Sequence, residues 1–224
     1  MNNNAKRIVA IIGIGLALMM PINRAFGDED SEFFAKLSAE WWQWALSIPT
    51  SVNPMTDPTG EFAVVGQRGS IWFLAGKWGG TIAIRSCSVP QGTALFFPVT
   101  NAVGINAPGV CGGATESVSQ VRKDAADLIA GATNLLVTLD GVAIKIRPRV
   151  QSKVFSVALP EDNVFDSPDC NVPAGIYSPA AGDGYYVLLP PLSVRPKVHT
   201  LHFHAENPLQ DITYHLTVVK VLLQ

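Results

Sequence analysis

The stretch "NLLVTLDGVAIKIRPRV" (134–150) carries the clearest strand signal in the chain. Strand-forming residues lie on both sides of Asp140 and Gly141. Asp-Gly favours a two-residue hairpin turn, because both residues tolerate a positive φ. The stretch therefore predicts two antiparallel strands joined by a tight turn.

Short apolar or alternating runs lie on both sides of this hairpin, and turn residues separate them. The runs are 61–65, 70–75, 81–89, 93–100, about 151–158, 184–192, about 198–206 and 212–223. Residues 160–184, which are rich in Pro, Asp and Gly, predict a long ordered loop. Nine or ten short strands at this spacing predict an all-β fold, an antiparallel β-sandwich resembling a jelly roll.

Two amphipathic segments predict accessory α-helices beside the sandwich. Residues 30–48 place apolar side chains at spacings of three and four, and Pro49 ends the pattern. Residues 115–130 form a second stripe, and Gly131 follows as a stop. Because strands do not alternate regularly with helices, a parallel α/β fold is not expected.

The first helix contains the densest aromatic stretch, "EWWQW" (40–44). Trp41 and Trp44 lie on the apolar stripe and are expected to close one end of the core. Trp42 lies off the stripe, so it is a candidate for contact with a ligand or a partner.

The first 27 residues have the features of a secretory signal peptide. Lys6 and Arg7 precede the apolar run "IVAIIGIGLALMM" (8–20), and cleavage is expected after Gly27. The run is shorter than the roughly 20 residues of a membrane-spanning helix, so an uncleaved anchor is the alternative. The sequence predicts a secreted or periplasmic protein without a stable membrane anchor, with one domain over residues 28–224.

The charge balance argues against two classes of partner. The chain has 16 Lys and Arg residues and 18 Asp and Glu residues, a formal net charge of −2. Three of the basic residues and none of the acidic ones lie in residues 1–27, so the remaining domain is more acidic. Without a basic block, it is not expected to bind nucleic acid or anionic lipid.

The chain has three cysteines, Cys87, Cys111 and Cys170. In an oxidising compartment, this number favours one disulfide and one free thiol, with three possible pairings. We favour Cys87–Cys111, because Cys87 ends a predicted strand and Cys111 lies in the next long loop. The spacings match neither a zinc knuckle nor a thioredoxin-type pair.

The order of motifs resembles a group of uncharacterised secreted bacterial proteins. The motifs are "EWWQW" (40–44), "GQRGSIWFLAG" (66–76), "RSCSVPQGTALFFPVTN" (85–101), "GYYVLLPPLSVRPKVHTLHFHA" (184–205) and "DITYHLTV" (211–218). The resemblance covers most of residues 28–224. It implies export and a single domain, but it does not indicate any particular activity.

All four histidines lie in "VHTLHFHAENPLQDITYHL" (198–216). Side chains alternate between the faces of a strand. His202 and His204 are therefore expected on one face, and His199 on the other, where it is expected to be partly buried and hydrogen-bonded.

The turn at 207–210 decides whether the next strand adds a third histidine to that face. A four-residue turn in which Asn207 faces Gln210 would place His202 opposite His215. His202, His204 and His215 could then hold zinc or copper, since neutral imidazole suits both metals. The alternative is a polar sheet face in water, with no metal or other cofactor.

A second candidate site is aromatic. Trp78 in "AGKWGGT" (75–81) is expected at a loop tip, where it could stack on a ligand. Tyr185 and Tyr186 could contribute to the same surface. The alternative is that Trp78 folds back over the end of the sandwich.

Catalytic signatures such as a nucleophile elbow, a zinc-protease helix or a phosphate loop do not occur in the sequence. We therefore expect a non-catalytic binding or structural protein whose ligand is a small molecule, a glycan or an envelope protein. The alternative is a metal-binding protein or metalloenzyme that uses the histidine cluster.

Overall fold

The computed structural model describes residues 28–195 and 197–220, so the predicted signal peptide lies outside the described residues. The helices are α1 (Asp28–Leu46) and α2 (Val118–Leu128). The strands are β1 (Ile71–Phe73), β2 (Thr81–Pro90), β3 (Ala94–Ile105), β4 (Thr133–Leu139), β5 (Val142–Ala143), β6 (Val150–Gln151), β7 (Phe155–Leu159), β8 (Gly175–Leu189), β9 (His199–Glu206) and β10 (Gln210–Val219). The predicted β-sandwich with two accessory helices is confirmed.

Two five-stranded sheets form the sandwich. Sheet A has the order β1-β3-β8-β6, with β7 also paired to β8, and sheet B has the order β2-β10-β9-β4-β5. Most neighbours are antiparallel, but β1 runs parallel to β3 and β10 runs parallel to β2. The expectation of a purely antiparallel sandwich is corrected here, because between β1 and β3 the chain crosses to sheet B as β2 and then returns.

Alternating side chains of sheet A fill two separate cores. Leu95 and Phe97 face sheet B, and the ring of Phe97 stacks on Phe203 with 5.0 Å between centroids. Phe96 and Tyr186 point the other way, into the core that contains α1. Sheet A is therefore the middle of three layers, with sheet B on one side and α1 on the other.

The second half of α1 is buried on most of its circumference, because loop residues cover the side that faces away from sheet A. Trp41 and Trp44 lie in the core as predicted, and Trp42 is buried as well. The indole Nε1 of Trp41 donates to the carbonyl of Leu74 at 3.0 Å, and that of Trp44 donates to Val65 at 2.9 Å. These two bonds satisfy the indole N–H groups of Trp41 and Trp44. Neither described helix is both long and apolar enough to span a membrane.

The predicted strand at 61–65 is wrong, since Glu61–Val64 is a 3₁₀ helix. The Asp57 carboxylate accepts hydrogen bonds from the backbone N–H groups of Thr59 and Phe62, at 2.7 and 2.8 Å. Burial alone would raise the pKa of Asp57, but these donors hold it below the ordinary value. The carboxylate thus fixes a turn where apolar residues alone indicated a strand.

The predicted loop at 160–184 is too long, because β8 begins at Gly175. Its glycines serve close packing between elements. A Cβ at Gly184 would lie 2.6 Å from the Cβ of Asn101, and one at Gly182 would meet the indole of Trp42. Glycine in a strand can mark such an approach as well as a turn.

The disulfide joins Cys111 to Cys170, with Cα atoms 5.6 Å apart, so the favoured Cys87–Cys111 pairing is wrong. Cys87 lies on β2 and packs against the core between the sheets, whereas Cys170 packs against the α1 core. Sheet A separates these two cores. Burial raises the pKa of the free Cys87 thiol to about 12, so it stays protonated at neutral pH.

The predicted hairpin turn is confirmed. Asp140 and Gly141 adopt φ values of 52° and 79°, and β4 pairs with β5 across them. The second strand is much shorter than expected, since β5 ends at Ala143 and the chain leaves the sheet.

The helix α2 packs across β3 and β8, and Ser117 caps its first turn by accepting from the N–H of Gln120 at 3.2 Å. Gly104 of β3 allows this packing, because a Cβ there would clash with the carbonyl of Val121. The helix therefore lies on the same side of sheet A as sheet B.

Candidate functional site

A cavity of about 460 Å³ opens beside β3, and we call it the aromatic pocket. Residues 98–103 of β3 line it without a break. Consecutive strand residues point to opposite faces, so a cavity that touches all of them lies against the edge of the strand. The volume is in the range of small-molecule sites, roughly 300–1,000 Å³.

Apolar side chains from both layers flank this edge. On the α1 side they are Trp41, Trp42, Met55, Trp78 and Phe165, and on the sheet B side they are Leu128, Ile129 and Pro208. The Trp78 and Phe165 rings meet edge to face, with centroids 5.1 Å apart and an interplanar angle of 89°. Such a lining favours a flat or extended apolar ligand.

Trp78 is half-buried, and its backbone N–H donates to the carbonyl of Met55 at 3.0 Å. Trp78 therefore packs back onto the protein, which was the alternative to a free loop tip, and still presents part of its ring to the aromatic pocket.

The loop that carries Trp78, residues 76–80, is held in place by Gln210. The side-chain Oε1 of Gln210 accepts from the N–H of Lys77 at 2.9 Å, and its Nε2 donates to the carbonyl of Lys77 at 2.8 Å. Gly80 lies so close to Leu209 that a Cβ would be 2.6 Å from the Leu209 carbonyl oxygen. This wall of the pocket is therefore formed before any ligand arrives.

A buried arginine supports the same loop from behind. Arg85 on β2 donates from Nη1 to the carbonyls of Ala75 and Gly76, at 2.6 and 3.2 Å, and to the Tyr214 hydroxyl at 2.7 Å. Its Nε donates to the carbonyl of Asp57 at 2.8 Å. The guanidinium thus joins sheet B to the chain that leads into the pocket.

Two polar groups at the pocket lack the partners that such groups usually have. Thr100 is 2% exposed, and its hydroxyl forms no hydrogen bond within the described residues. Lys77 is half-buried, and none of the ion pairs between described side chains includes it. The Thr100 hydroxyl has no surface open to the cavity, so of these two groups only Lys77 is available to a ligand.

The two tyrosines predicted beside Trp78 lie elsewhere. Tyr186 is fully buried, and its ring stacks on Phe96 with 5.3 Å between centroids. Burial raises the pKa of the Tyr186 phenol, despite a hydrogen bond from Asn101 that opposes the rise. Tyr185 packs against the core between the sheets. Neither residue lines the aromatic pocket, because adjacent strand positions point into the two cores.

The second candidate is the outward side of sheet B, which we call the histidine face: His202, His204 and His215. These residues share one face, as predicted. The predicted pair of His202 with His215 is wrong, because His202 lies opposite Thr213 and His215 lies opposite Thr200. The pairing is shifted by two residues, and an even shift preserves the face.

The turn explains this shift. Ala205 pairs with Gln210, so residues 206–209 join the two strands, and Asn207 within this connection adopts a φ of 56°. The predicted turn had placed Asn207 itself opposite Gln210.

The shifted pairing gives His202 and His204 acidic neighbours. Nε2 of His202 lies 2.7 Å from Oδ1 of Asp211. His204 lies 3.8 Å from both Glu206 and Asp211. Throughout residues 28–195 and 197–220, no group of three or more His, Cys, Asp or Glu side chains is arranged to hold a metal ion. The geometry therefore gives no support to a zinc or copper site at His202, His204 and His215.

His199 points inward and is 4% exposed, as predicted. Its Nδ1 lies 2.6 Å from Oδ2 of Asp140, and its Nε2 lies 2.9 Å from the carbonyl oxygen of Ser193. A carboxylate and a carbonyl only accept, so both contacts are hydrogen bonds only when both ring nitrogens carry a proton, as in an imidazolium. Burial lowers the pKa of His199, but the bonds to Asp140 and Ser193 outweigh it and raise the pKa overall.

Comparisons of the chain with family models, with curated proteins and with solved structures give no match.

Sequence reasoning missed most of the aromatic pocket. Thr100, Gln210 and Phe165 come from distant segments, and each carries an ordinary local pattern. One signal could have helped. In "KWGG" (77–80) two glycines follow a tryptophan, and both adopt a positive φ, 77° and 69°. That pattern indicates a tightly fixed turn that presents the ring.

Proposed function

We propose that this is an exported, non-catalytic binding protein and that its ligand occupies the aromatic pocket. Export is supported by the signal-peptide features of residues 1–27 and by the Cys111–Cys170 disulfide, since disulfides persist in oxidising compartments. The partner is a small molecule or a single extended segment of a larger one.

One observation carries the choice of site: a preformed apolar cavity, walled by Trp41, Trp78 and Phe165, also touches Lys77, which is in no ion pair among the described side chains. Apolar walls with a few fixed polar groups are the usual composition of a ligand site. The expected ligand is therefore mainly apolar, with an anionic or acceptor group that reaches Lys77.

Titration of the purified protein with the dye 1-anilinonaphthalene-8-sulfonate tests the proposal, because the dye combines flat rings with an anionic group. We expect saturable binding to the folded protein, with an increase in dye fluorescence. Trp78→Ala should weaken the affinity tenfold or more, which corresponds to about 1.4 kcal/mol. Thermal unfolding of the same samples checks that the variant is folded.

His204→Ala is the matched control, since His204 lies on the histidine face and does not line the pocket. Its affinity for the dye should equal that of the wild type. Binding that is absent, or that is unchanged in folded Trp78→Ala, would show that the aromatic pocket is not the site.

A further inference from the structure

The strand at the floor of the aromatic pocket has one open edge. On one side β3 pairs with β8 along most of its length, and on the other side it pairs only with β1, over residues 94–96. Within the described residues, no backbone hydrogen bond outside the β3–β8 ladder reaches residues 98–103. The cavity therefore lies where a further strand would pair.

The register shows which backbone groups face the cavity. Antiparallel residues alternate between those that bond to the neighbouring strand and those that point away from it. Asn106 donates its N–H to Pro179 of β8 at 2.9 Å, and Ile105 pairs with Ala180. Counting back by twos along this register, the N–H and C=O groups of Asn101 and Val103 point into the pocket.

This edge is recessed in the protein. Pro98, Val99, Thr100 and Ala102 are buried, and Asn101 and Val103 are half-buried, so the open edge is partly shielded from bulk water. A backbone group is destabilising when water reaches it poorly and no neighbour pairs with it. Natural proteins usually cover or block an open strand edge, and here the edge lies at the bottom of an aromatic cleft.

We propose that the ligand is an extended, apolar peptide segment that pairs with the β3 edge at Asn101 and Val103 and continues the line of β1. This inference rests on the proposed function. Six strand residues span about 20 Å, which matches a segment of four to six residues along 98–103. Backbone groups of the peptide satisfy the edge, as in other cases of strand addition.

The walls specify the side chains of the segment. Alternate residues of an added strand point to opposite sides. One set would meet Trp78 and Phe165, and the other would meet Leu128 and Ile129. Both walls are apolar, so both sets should be apolar. Lys77 favours an acidic residue or a terminal carboxylate at one end over a basic one.

Displacement of the bound dye by synthetic peptides tests this inference. The first probe is an N-acetylated hexapeptide of alternating valine and leucine with a free C-terminal carboxylate. The other two are the same peptide N-methylated at the odd residues or at the even residues. Each strand edge uses only alternate N–H groups. We therefore expect the parent peptide to displace the dye, and one methylated form to bind at least tenfold more weakly than the other.

The outcomes separate this inference from the proposed function. If the dye binds in a manner that requires Trp78 but no peptide displaces it, or both methylated forms match the parent, strand addition is wrong and the pocket remains a ligand site. If the dye does not bind there, both proposals fail. If sedimentation shows a dimer that excludes dye and peptide, the edge is filled by a second copy, which overturns the peptide proposal.

Discussion

The aromatic pocket and the histidine face are both candidate sites, but they differ in how their polar groups are paired. On the histidine face, His202 has a carboxylate at 2.7 Å and the side chains lie at a surface open to water. In the aromatic pocket, the backbone groups of Asn101 and Val103 that point away from β8 have no backbone partner among the described residues. Polar groups that are already paired gain little from a ligand, whereas unpaired groups gain hydrogen bonds from it.

They also differ in how they are assembled. The histidine face comes from one hairpin, β9 and β10, whose residues are neighbours in the chain. The aromatic pocket brings together α1, the 76–80 loop, β3, the end of α2 and the β9–β10 turn. Its shape therefore depends on tertiary packing, and changes to packing should affect the pocket more than the histidine face.

The largest effect is expected from loss of the disulfide. Cys111→Ser with Cys170→Ser should lower the free energy of unfolding by about 2–4 kcal/mol, because the unfolded chain gains the freedom of a long loop. Dye affinity should fall as well, since Phe165 lies in the segment that the disulfide closes. Denaturant unfolding and dye titration measure both quantities.

Cys87→Ser is the control for that pair, because Cys87 is outside the disulfide and does not line the pocket. It should leave the dye affinity unchanged. An equal loss of stability in the control and the double variant would contradict a structural role for the disulfide.

Two neighbouring glycines in the 76–80 loop allow the cost of backbone strain to be measured separately from the cost of a steric clash. Gly79 and Gly80 both have positive φ, so an alanine at either should cost about 1 kcal/mol. A Cβ at Gly79 meets nothing within 4 Å, whereas one at Gly80 would lie 2.6 Å from the carbonyl of Leu209. Gly80→Ala should therefore lose roughly 1–3 kcal/mol more than Gly79→Ala.

Thermal unfolding and dye titration of both glycine variants check this difference. Only Gly80→Ala should also weaken the dye, since the loop must move away from the β9–β10 turn. Equal behaviour of the two variants would mean that the loop is not held as tightly as its contacts indicate.

The pH dependence should come from the inward-facing His199. Its pKa is raised above 6.5, so the pair with Asp140 contributes stability below that pH and loses it as pH rises through the folded-state pKa. For Asp140, burial would raise the pKa, but bonds from Thr200 and His199 lower it below 3.8. Its contribution is therefore lost only as pH falls through that lowered value.

Urea unfolding between pH 5 and pH 9 measures the effect. The free energy of unfolding of the wild type should fall toward alkaline pH. That of His199→Gln should fall less, because glutamine does not titrate. Asp140→Asn should reduce the slope in the same direction. A wild-type curve parallel to that of His199→Gln would rule out the imidazolium pair.

The smallest effect is expected on the histidine face. His202→Ala removes a half-exposed pair with Asp211 and should cost less than about 1 kcal/mol. It should leave dye binding unchanged, and elemental analysis of the wild type should find no stoichiometric zinc or copper. About one metal ion per chain, lost in His202→Ala, would reverse the ranking of the two regions.

Local patterns predicted the hairpin at Asp140 and Gly141, the two helices and the shared face of His202 and His204, since each depends on residues a few positions apart. The strand at 61–65 failed because the Asp57 carboxylate outweighed the apolar pattern. The start of β8 was missed because Gly182 and Gly184 looked like turn residues but serve packing.

The sequence by itself determined the sandwich class and the candidate residues Trp78 and His202, because alternation and turn chemistry are short-range properties. Only the tertiary structure decided which cysteines pair, which tyrosines are buried and where β3 is left without a neighbour. Those outcomes depend on which distant segments meet, and that is set by the packing of whole layers and not by any one segment.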